Sequence, residues 1–409
     1  PLSLYVHIPF CHSLCYYCGC NKVVTRNQPR VDRYLDNLYT EIELQGELFD
    51  RQRKVEQLHF GGGTPTYLNE PQLDELLARL RQHFSFDESD GHEFSIEVDP
   101  RTVTARSIAR LRTLGFNRLS LGIQDFDPAV QQAVNRIQSI ESVTDLLESA
   151  RSARFRSISF DLIYGLPRQT AATFDQTIDA VIDMRPDRLA VYNYAHLPEG
   201  FRGQRMIDAD ELPSAEMKLE ILRRTIERLD AAGYIDIGMD HFALPDDDLV
   251  IARSEGTLQR NFQGYSTHRQ CDLVALGVSS ISNIGPVFAQ NAATTMEYEA
   301  LLEDRCLPVT RGVKIDADDT LRAGVIQSLM CYDSVEFAAI EREHGIEFKR
   351  YFAPELERLE PLVADGLITL DSDGIHVTAS GRLLLRNVAM VFDRYLHTAA
   401  NENRFSKAI

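Results

Sequence analysis

Apolar positions along the first two thirds of the chain switch repeatedly between two periods, the short runs of a buried strand and the three- or four-residue spacing of one helix face. Strand-like runs occupy residues 2–9, 55–60, 94–98, 118–123, 157–163 and 188–194. Between them Val31, Tyr34, Leu35, Leu38 and Ile42 keep helical spacing, as do Leu73, Leu76, Leu77 and Leu80 after Pro71, and Ile108, Leu111 and Leu114 before Gly115. Val143, Leu146, Leu147 and Ala150 repeat the pattern, then Phe174, Ile178, Val181 and Ile182, then Leu219, Leu222, Ile226 and Leu229 ahead of Gly233. Proline near a helix start and glycine just past its end punctuate these segments as helices require. Strict alternation of strand and helix predicts an α/β fold with a parallel sheet covered by helices, a partly closed (β/α)6 TIM-like barrel; a doubly wound sheet is the competing arrangement.

From about residue 310 the pattern becomes helix, helix, strand, turn, strand, helix, with strands at 367–370 and 375–378, a turn at 371–374 and a helical stretch at 383–396. Two domains are therefore expected: 1–310, a catalytic barrel with an extension, and 311–409, mainly helical and winged-helix-like. A wing suggests nucleic acid by analogy alone. Basic residues are not concentrated there, so a packing or substrate-covering role is the expectation.

Composition narrows the classes. With 409 residues, 44% hydrophobic and 25% charged, the chain reads as an ordinary soluble protein, and no apolar run approaches the roughly 18 residues of a membrane span. Its formal net charge of -18 argues against nucleic acid or an acidic membrane as partner, so an anionic substrate needs a local basic pocket. The chain opens on Pro1 and enters a strand at once, which is read as a trimmed start without signal peptide or targeting helix. Four of the seven cysteines, Cys11, Cys15, Cys18 and Cys20, fall within ten residues. An odd total and no secretory signal point to metal or redox chemistry in a cytoplasmic, reducing compartment rather than to disulfides.

The sharpest motif is the C-x3-C-x2-C loop Cys11, Cys15, Cys18 directly after the first strand. Three thiolates can hold three corners of a 4Fe-4S cubane and leave the fourth iron open to a ligand. A zinc site completed by Cys20 or His12 is the alternative. Cys20 reads as a thiol near the centre that does not ligate, or as a bystander. Gly61, Gly62, Gly63, Thr64 and Pro65 end the second strand, where a backbone without Cβ atoms can approach a ligand. Glu97, Gln124, Asp161 and the run 193–196 stand at the ends of the later strands, which in a βα barrel share one mouth. Several polar groups there imply a polar ligand.

These motifs together resemble the radical S-adenosylmethionine superfamily. Within it, the strings 5–11, 18–22, 122–126, 161–167, 193–198, 238–242 and 260–265 resemble the oxygen-independent coproporphyrinogen III oxidases of bacterial haem biosynthesis, over essentially the whole chain. The resemblance implies that Cys11, Cys15 and Cys18 ligate a 4Fe-4S cluster and that two molecules of S-adenosylmethionine bind. Tyr5, Gly62, Glu97 and Ile281 would contact the cluster-bound molecule. Tyr17, Gly63, Thr64, Gln124, Arg136, Asp161 and Ala195 would contact the second. Of these, Glu97 can pair with an ammonium, Arg136 with a carboxylate, and Asp161 can accept from ribose hydroxyls. Cys20, Tyr5 and His7 are the candidate catalytic residues.

The implied reaction converts two propionates of coproporphyrinogen III to vinyl groups, with a flavodoxin or ferredoxin system as electron donor and a monomer as the default. Lys22 and Arg26 are candidate cations for the four substrate carboxylates, against a surface role for each. Two departures are expected: the family has a further N-terminal segment whose basic residues this chain would lack, and Tyr17 stands where phenylalanine is common. The rival reading is a haem-handling chaperone of similar sequence. Such relatives typically lack a cysteine at the place of Cys20 and the full 193–198 string.

Overall fold

The computed structural model describes residues 1–89 and 91–396 and divides the chain into two compact units, one of residues 1–229 and 270–314, the other of 230–269 and 315–409. The expected cut at 310 thus runs differently in the structure, because 230–269 joins the second unit. Residues 397–409 of the expected C-terminal domain lie outside the described part.

In the first unit the six expected strands are present as β1 (Leu2–Ile8), β2 (Lys54–Gly62), β3 (Glu93–Val98), β4 (Arg118–Gln124), β5 (Ser157–Tyr164) and β6 (Arg188–Asn193). They pair in parallel in the order β6-β5-β4-β3-β2-β1. A doubly wound sheet reverses its strand order at a switch point. Across these six strands the order does not reverse. Parallel strands also bring their C-terminal ends to one edge.

The intervening helices are α1 (Gln28–Gly46), α2 (Glu70–His83), α3 (Ala105–Thr113), α4 (Ile140–Ser152), α5 (Ala171–Met184) and α6 (Ala215–Ala231). Asn69 with Gln72 and Thr170 with Thr173 form reciprocal caps at the starts of α2 and α5, satisfying backbone donors that have no partner inside the helix. Val31, Tyr34, Leu38 and Ile42 on α1, and Leu76 and Leu80 on α2, are buried as their spacing requires. In α6 the buried face is Ile221, Leu222, Thr225 and Leu229, whereas Leu219 is 40% exposed. The apolar spacing of Leu219 was therefore a coincidence of composition.

The extension to 310 adds β7 (Asp272–Leu276), parallel to β1, followed by the antiparallel β8 (Ile281–Ile284), β9 (Val287–Asn291) and β10 (Val309–Lys314). The sheet is therefore mixed, parallel around β1 and antiparallel beyond β7.

The second unit contains the expected hairpin, Ile368–Leu370 against Gly374–Val377, with Ser334–Glu336 as a third strand. The helical stretch expected at 383–396 is shorter, Ala379–Arg382 then Leu385–Met390. Its core is Leu329, Phe348, Phe352, Leu359, Ile375 and Phe392, all fully buried. Among the described residues no helix is long and apolar enough to cross a membrane.

Candidate metal and cofactor site

After β1 the residues Phe10–Cys11 pair in parallel with Val23–Val24, closing the intervening chain into a loop that carries the other three clustered cysteines. Cys11 and Cys15 are buried, Cys18 is half-buried and Cys20 exposed. The loop is held at several points: Tyr16 N donates to Val134 O at 3.0 Å, Asn135 Nδ2 to Leu14 O at 2.8 Å, and Gln204 Nε2 to Tyr17 O at 2.9 Å.

Each of the three candidate ligands faces a donor or a cation. Thr64 Oγ1 lies 3.5 Å from Cys11 Sγ. Arg101 Nη2 and Arg136 Nη1 lie 3.4 and 3.5 Å from Cys15 Sγ. Lys22 Nζ donates to Cys18 O at 2.8 Å. A hydrogen bond with the Cys20 thiol, aided by the Lys22 charge, brings the Cys18 thiol down to about 6 against the effect of burial. Burial pushes Cys11 up to about 11, with the Thr64 hydroxyl opposing.

Three sulfurs on one loop, two of them beside fixed positive charge, suit a group ligated by thiolates. A closed zinc site instead crowds its ligands about one ion at roughly 2.3 Å. Three cysteine thiolates on one short loop fit a cluster ligated by thiolates.

The glycine run lies against this loop. Gly62 has φ 117°, and a Cβ there would stand 2.8 Å from the His7 ring. A Cβ on Gly63 would come within 2.6 Å of Pro9 O, so only glycine lets β2 end this close to the cysteine loop. Glu97 at the end of β3 accepts from Gly62 N and from His59 Nε2, each at 3.2 Å. Asp161 on β5 accepts from Ser120 Oγ at 2.7 Å. Burial first, then the charge of Glu97, pushes its carboxyl up to about 6, against the pull of His59 and Arg136.

Arg136 is 6% exposed; its Nη2 donates to Gly122 O at 2.5 Å, its Nη1 meets Asp99 Oδ2 at 3.3 Å, and its Nε has no hydrogen-bond partner in the described structure. Burial alone would raise the Asp99 carboxyl, yet the Arg101 hydrogen bond and both guanidinium charges hold it below its ordinary value. Gln124 closes β4 with φ 68° at a register shift between β4 and β5.

One cavity of about 290 Å³ joins these features. Cys11, Cys15, Cys18, Cys20, Tyr17, Gly62, Gly63, Thr64, Glu97, Gln124, Arg136 and Asp161 all line it, as does Lys22. Five expected residues do not. Tyr5 lies behind the lining, its hydroxyl 3.0 Å from His7 Nδ1 and its ring stacked on His59 at 5.8 Å. His7 sits beneath Gly62 and meets Asn21 O at 3.0 Å. Ala195 is reached through Gln204, whose Nε2 donates to its carbonyl at 3.1 Å, and Ile281 opens β8. Arg26 is exposed at the surface.

Sequence reasoning missed Asp99, Arg101 and Ser120 in the cavity wall, and the buried Gln204. Asp99 and Arg101 directly follow β3 and could have been found by reading past Glu97. Gln204 lies in a segment with no periodicity, and nothing in the sequence marks it.

Residues 5–181 match the Radical SAM superfamily and residues 315–384 the HemN C-terminal domain. The oxygen-independent coproporphyrinogen III oxidase of Pseudomonas aeruginosa is 54% identical over 409 residues, which are 100% of this chain and 89% of that protein. The chain belongs to the oxygen-independent coproporphyrinogen III oxidase family. The enzyme of the same description from Escherichia coli K12 is 50% identical over the same shares of the two chains. A solved structure of the Escherichia coli coproporphyrinogen III oxidase HemN, described as a radical SAM enzyme, superposes with a TM-score of 0.94, covering 97% of this chain and 91% of that one. Membership of the radical SAM superfamily brings with it a 4Fe-4S cluster and S-adenosylmethionine.

Proposed function

We propose that this chain is a radical S-adenosylmethionine oxidoreductase that decarboxylates two propionate side chains of coproporphyrinogen III to vinyl groups without oxygen, giving protoporphyrinogen IX. The observation that carries the reading is a single cavity in which the three-cysteine loop, the glycine run, Glu97 and Asp161 meet, in a family member of this identity. A cluster at Cys11, Cys15 and Cys18 supplies, when bound, the electron that splits S-adenosylmethionine into methionine and a 5'-deoxyadenosyl radical.

The protein's part is to bind, orient and exclude water, because a primary carbon radical attacks almost any C-H bond near it. Glu97 is read as the partner of the ammonium of the cluster-bound S-adenosylmethionine, with Tyr5, Gly62 and Ile281 around it. Arg136, with a free Nε, is read as the partner of a carboxylate of a second molecule, and Asp161 as the acceptor of its ribose hydroxyls, with Tyr17, Gly63, Thr64, Gln124 and Ala195 completing that site. Tyr5 and His7 act by holding the lining in place, and Cys20 is a thiol that does not ligate.

Each propionate loses one hydrogen from its β-carbon; departure of carbon dioxide and one further electron to an acceptor then leaves the vinyl double bond. A flavodoxin or ferredoxin system is read as the reductant, and the enzyme as a cytoplasmic monomer. We also read the parallel strands as a partly closed TIM-like barrel and the second unit as winged-helix-like, readings supported by the unreversed strand order and by the three-stranded sheet among helices.

The test is anaerobic incubation of reconstituted protein with reductant, S-adenosylmethionine and coproporphyrinogen III. The reading expects a divinyl product together with methionine and 5'-deoxyadenosine. Methionine without any porphyrinogen product would mean a different radical enzyme.

A further inference from the structure

Helix α6 carries four cations, Lys218, Arg223, Arg224 and Arg228. The three arginines are all neutralised: Arg223 by Glu220 and Glu227, Arg224 by Asp175, and Arg228 by Asp179. Lys218 is the exception. Among the described residues its ammonium has no carboxylate partner and one hydrogen bond, to Tyr194 O at 3.4 Å. It is also half-buried, its stem crossing Gly165 so closely that a Cβ there would lie 3.0 Å from Cε. In a chain with a net charge of -18, a half-buried cation without an anion is a cost that folding alone does not explain.

Its surroundings are built in the same sense. Gly165 follows β5 and Tyr194 follows β6, so Lys218 stands at the C-terminal edge of the sheet, the edge that also carries Asp161 and Tyr192 in the cavity wall. His196 is near enough that the Lys218 charge, after burial, holds its imidazole below the ordinary value. The Tyr194 hydroxyl lies 2.8 Å from His196 Nδ1. In the tautomer where that hydroxyl donates, the ring proton is on Nε2 and available to an acceptor. An ammonium and an imidazole that both adjoin Tyr194, the ammonium without a carboxylate partner among the described residues, are complementary to an anion.

From this geometry we propose that Lys218 and His196 form a carboxylate-binding subsite that holds a propionate of the tetracarboxylate substrate at the sheet's C-terminal edge. The proposal rests on the substrate class given under Proposed function. It adds these two side chains to Lys22, which lines the cavity, and the exposed Arg26 as candidate cations for the four substrate carboxylates.

The test uses the whole chain and coproporphyrin III, the stable oxidised form of the substrate, titrated by fluorescence quenching, with its tetramethyl ester as the probe lacking carboxylates. Lys218→Met is expected to weaken coproporphyrin III binding about 10-fold, the order of one partly desolvated charge pair, and to leave ester binding unchanged. Lys218→Arg should retain binding, and His196→Gln should weaken it less than Lys218→Met does. In turnover the Lys218→Met loss should fall on KM with kcat within about twofold, as for a contact made equally in ground and transition states. Unchanged coproporphyrin III affinity in Lys218→Met, or an equal loss for acid and ester, overturns the subsite. Absence of decarboxylation by the unaltered protein would overturn the proposed function instead, and the binding titration would still decide the subsite.

Discussion

Two carboxyls of the first unit are pushed up by burial to similar degrees, Glu41 to about 7 and Asp161 to about 6, yet the structure surrounds them differently. Glu41, fully buried on α1, accepts from Gly277 N at 2.7 Å, Asn291 Nδ2 at 2.6 Å and the Tyr298 hydroxyl at 2.6 Å. It ties α1 to three later stretches of chain. Asp161 has one hydrogen-bond donor, Ser120, and otherwise opens on the cavity beside the cysteine loop. A carboxylate offers about four lone-pair sites. Burial perturbs both groups, so perturbation alone does not mark a functional site. Hydrogen-bonding capacity left over and facing a cavity is the better guide, and by that measure Glu41 belongs to the fold while Asp161 and Arg136 Nε are read as open to a ligand.

The largest effect belongs to the side that awaits a ligand. Cys15→Ala should abolish iron incorporation and activity together, whereas Cys20→Ser should keep most of its iron, as measured by iron and sulfide content after anaerobic reconstitution. Equal iron loss in both variants would show that Cys20 ligates and that no iron is left open. Unfolding of the two metal-free variants should match that of the metal-free parent. On the other side, Glu41→Leu strands the Tyr298 hydroxyl and the Gly277 N-H in a buried core, while Asn291 Nδ2 keeps Gly277 O and Ser280 Oγ, and should cost about 3–5 kcal/mol in denaturant unfolding of the metal-free chain. Asp161→Asn should reverse that profile. Stability should stay within about 1 kcal/mol, because the amide oxygen still accepts from Ser120, while S-adenosylmethionine binding to the reconstituted protein weakens about 10- to 100-fold, the worth of one hydrogen bond to a charged group. A stability loss in Asp161→Asn as large as that in Glu41→Leu would erase the distinction between them.

The same contrast explains what could be read from the sequence. The six parallel strands were legible almost to the residue because each carries a buried apolar face and is bracketed by helices of clear period; the run expected at 118–123, for instance, is Arg118–Gln124. The cysteine loop and glycine run were legible because their chemistry lies in adjacent residues. The Glu41 network was not, since its partners at 277, 291 and 298 are joined to it only by folding. Gln204 escaped for the same reason, and so did the antiparallel strands β8 to β10, short runs whose faces are decided by pairing rather than by period. Lys218 was hidden in plain view. Its distinction is the absence of a carboxylate partner among the described residues, which spacing along one helix cannot reveal.

The pH dependence of stability is the sharpest test of how Glu41 is held. A glutamate in an unfolded chain titrates near 4.3. In the folded chain burial raises Glu41 to about 7 in spite of its three donors. Between these values the native protein keeps a proton that the unfolded chain has already released. The contribution of Glu41 is therefore full below about pH 4, falls by about 1.4 kcal/mol per unit as pH rises, and levels off above about pH 7. Glu41→Gln removes the titration and keeps the shape, so the stability difference between parent and variant, followed by denaturant unfolding from pH 5 to 8, isolates this one group. It should shrink steadily to about pH 7 and then stay constant. A difference that is flat from pH 5 upward would mean that the donors from Gly277, Asn291 and Tyr298 outweigh desolvation and that Glu41 stays ionised, so that of the two carboxyls compared only Asp161 would be raised by burial.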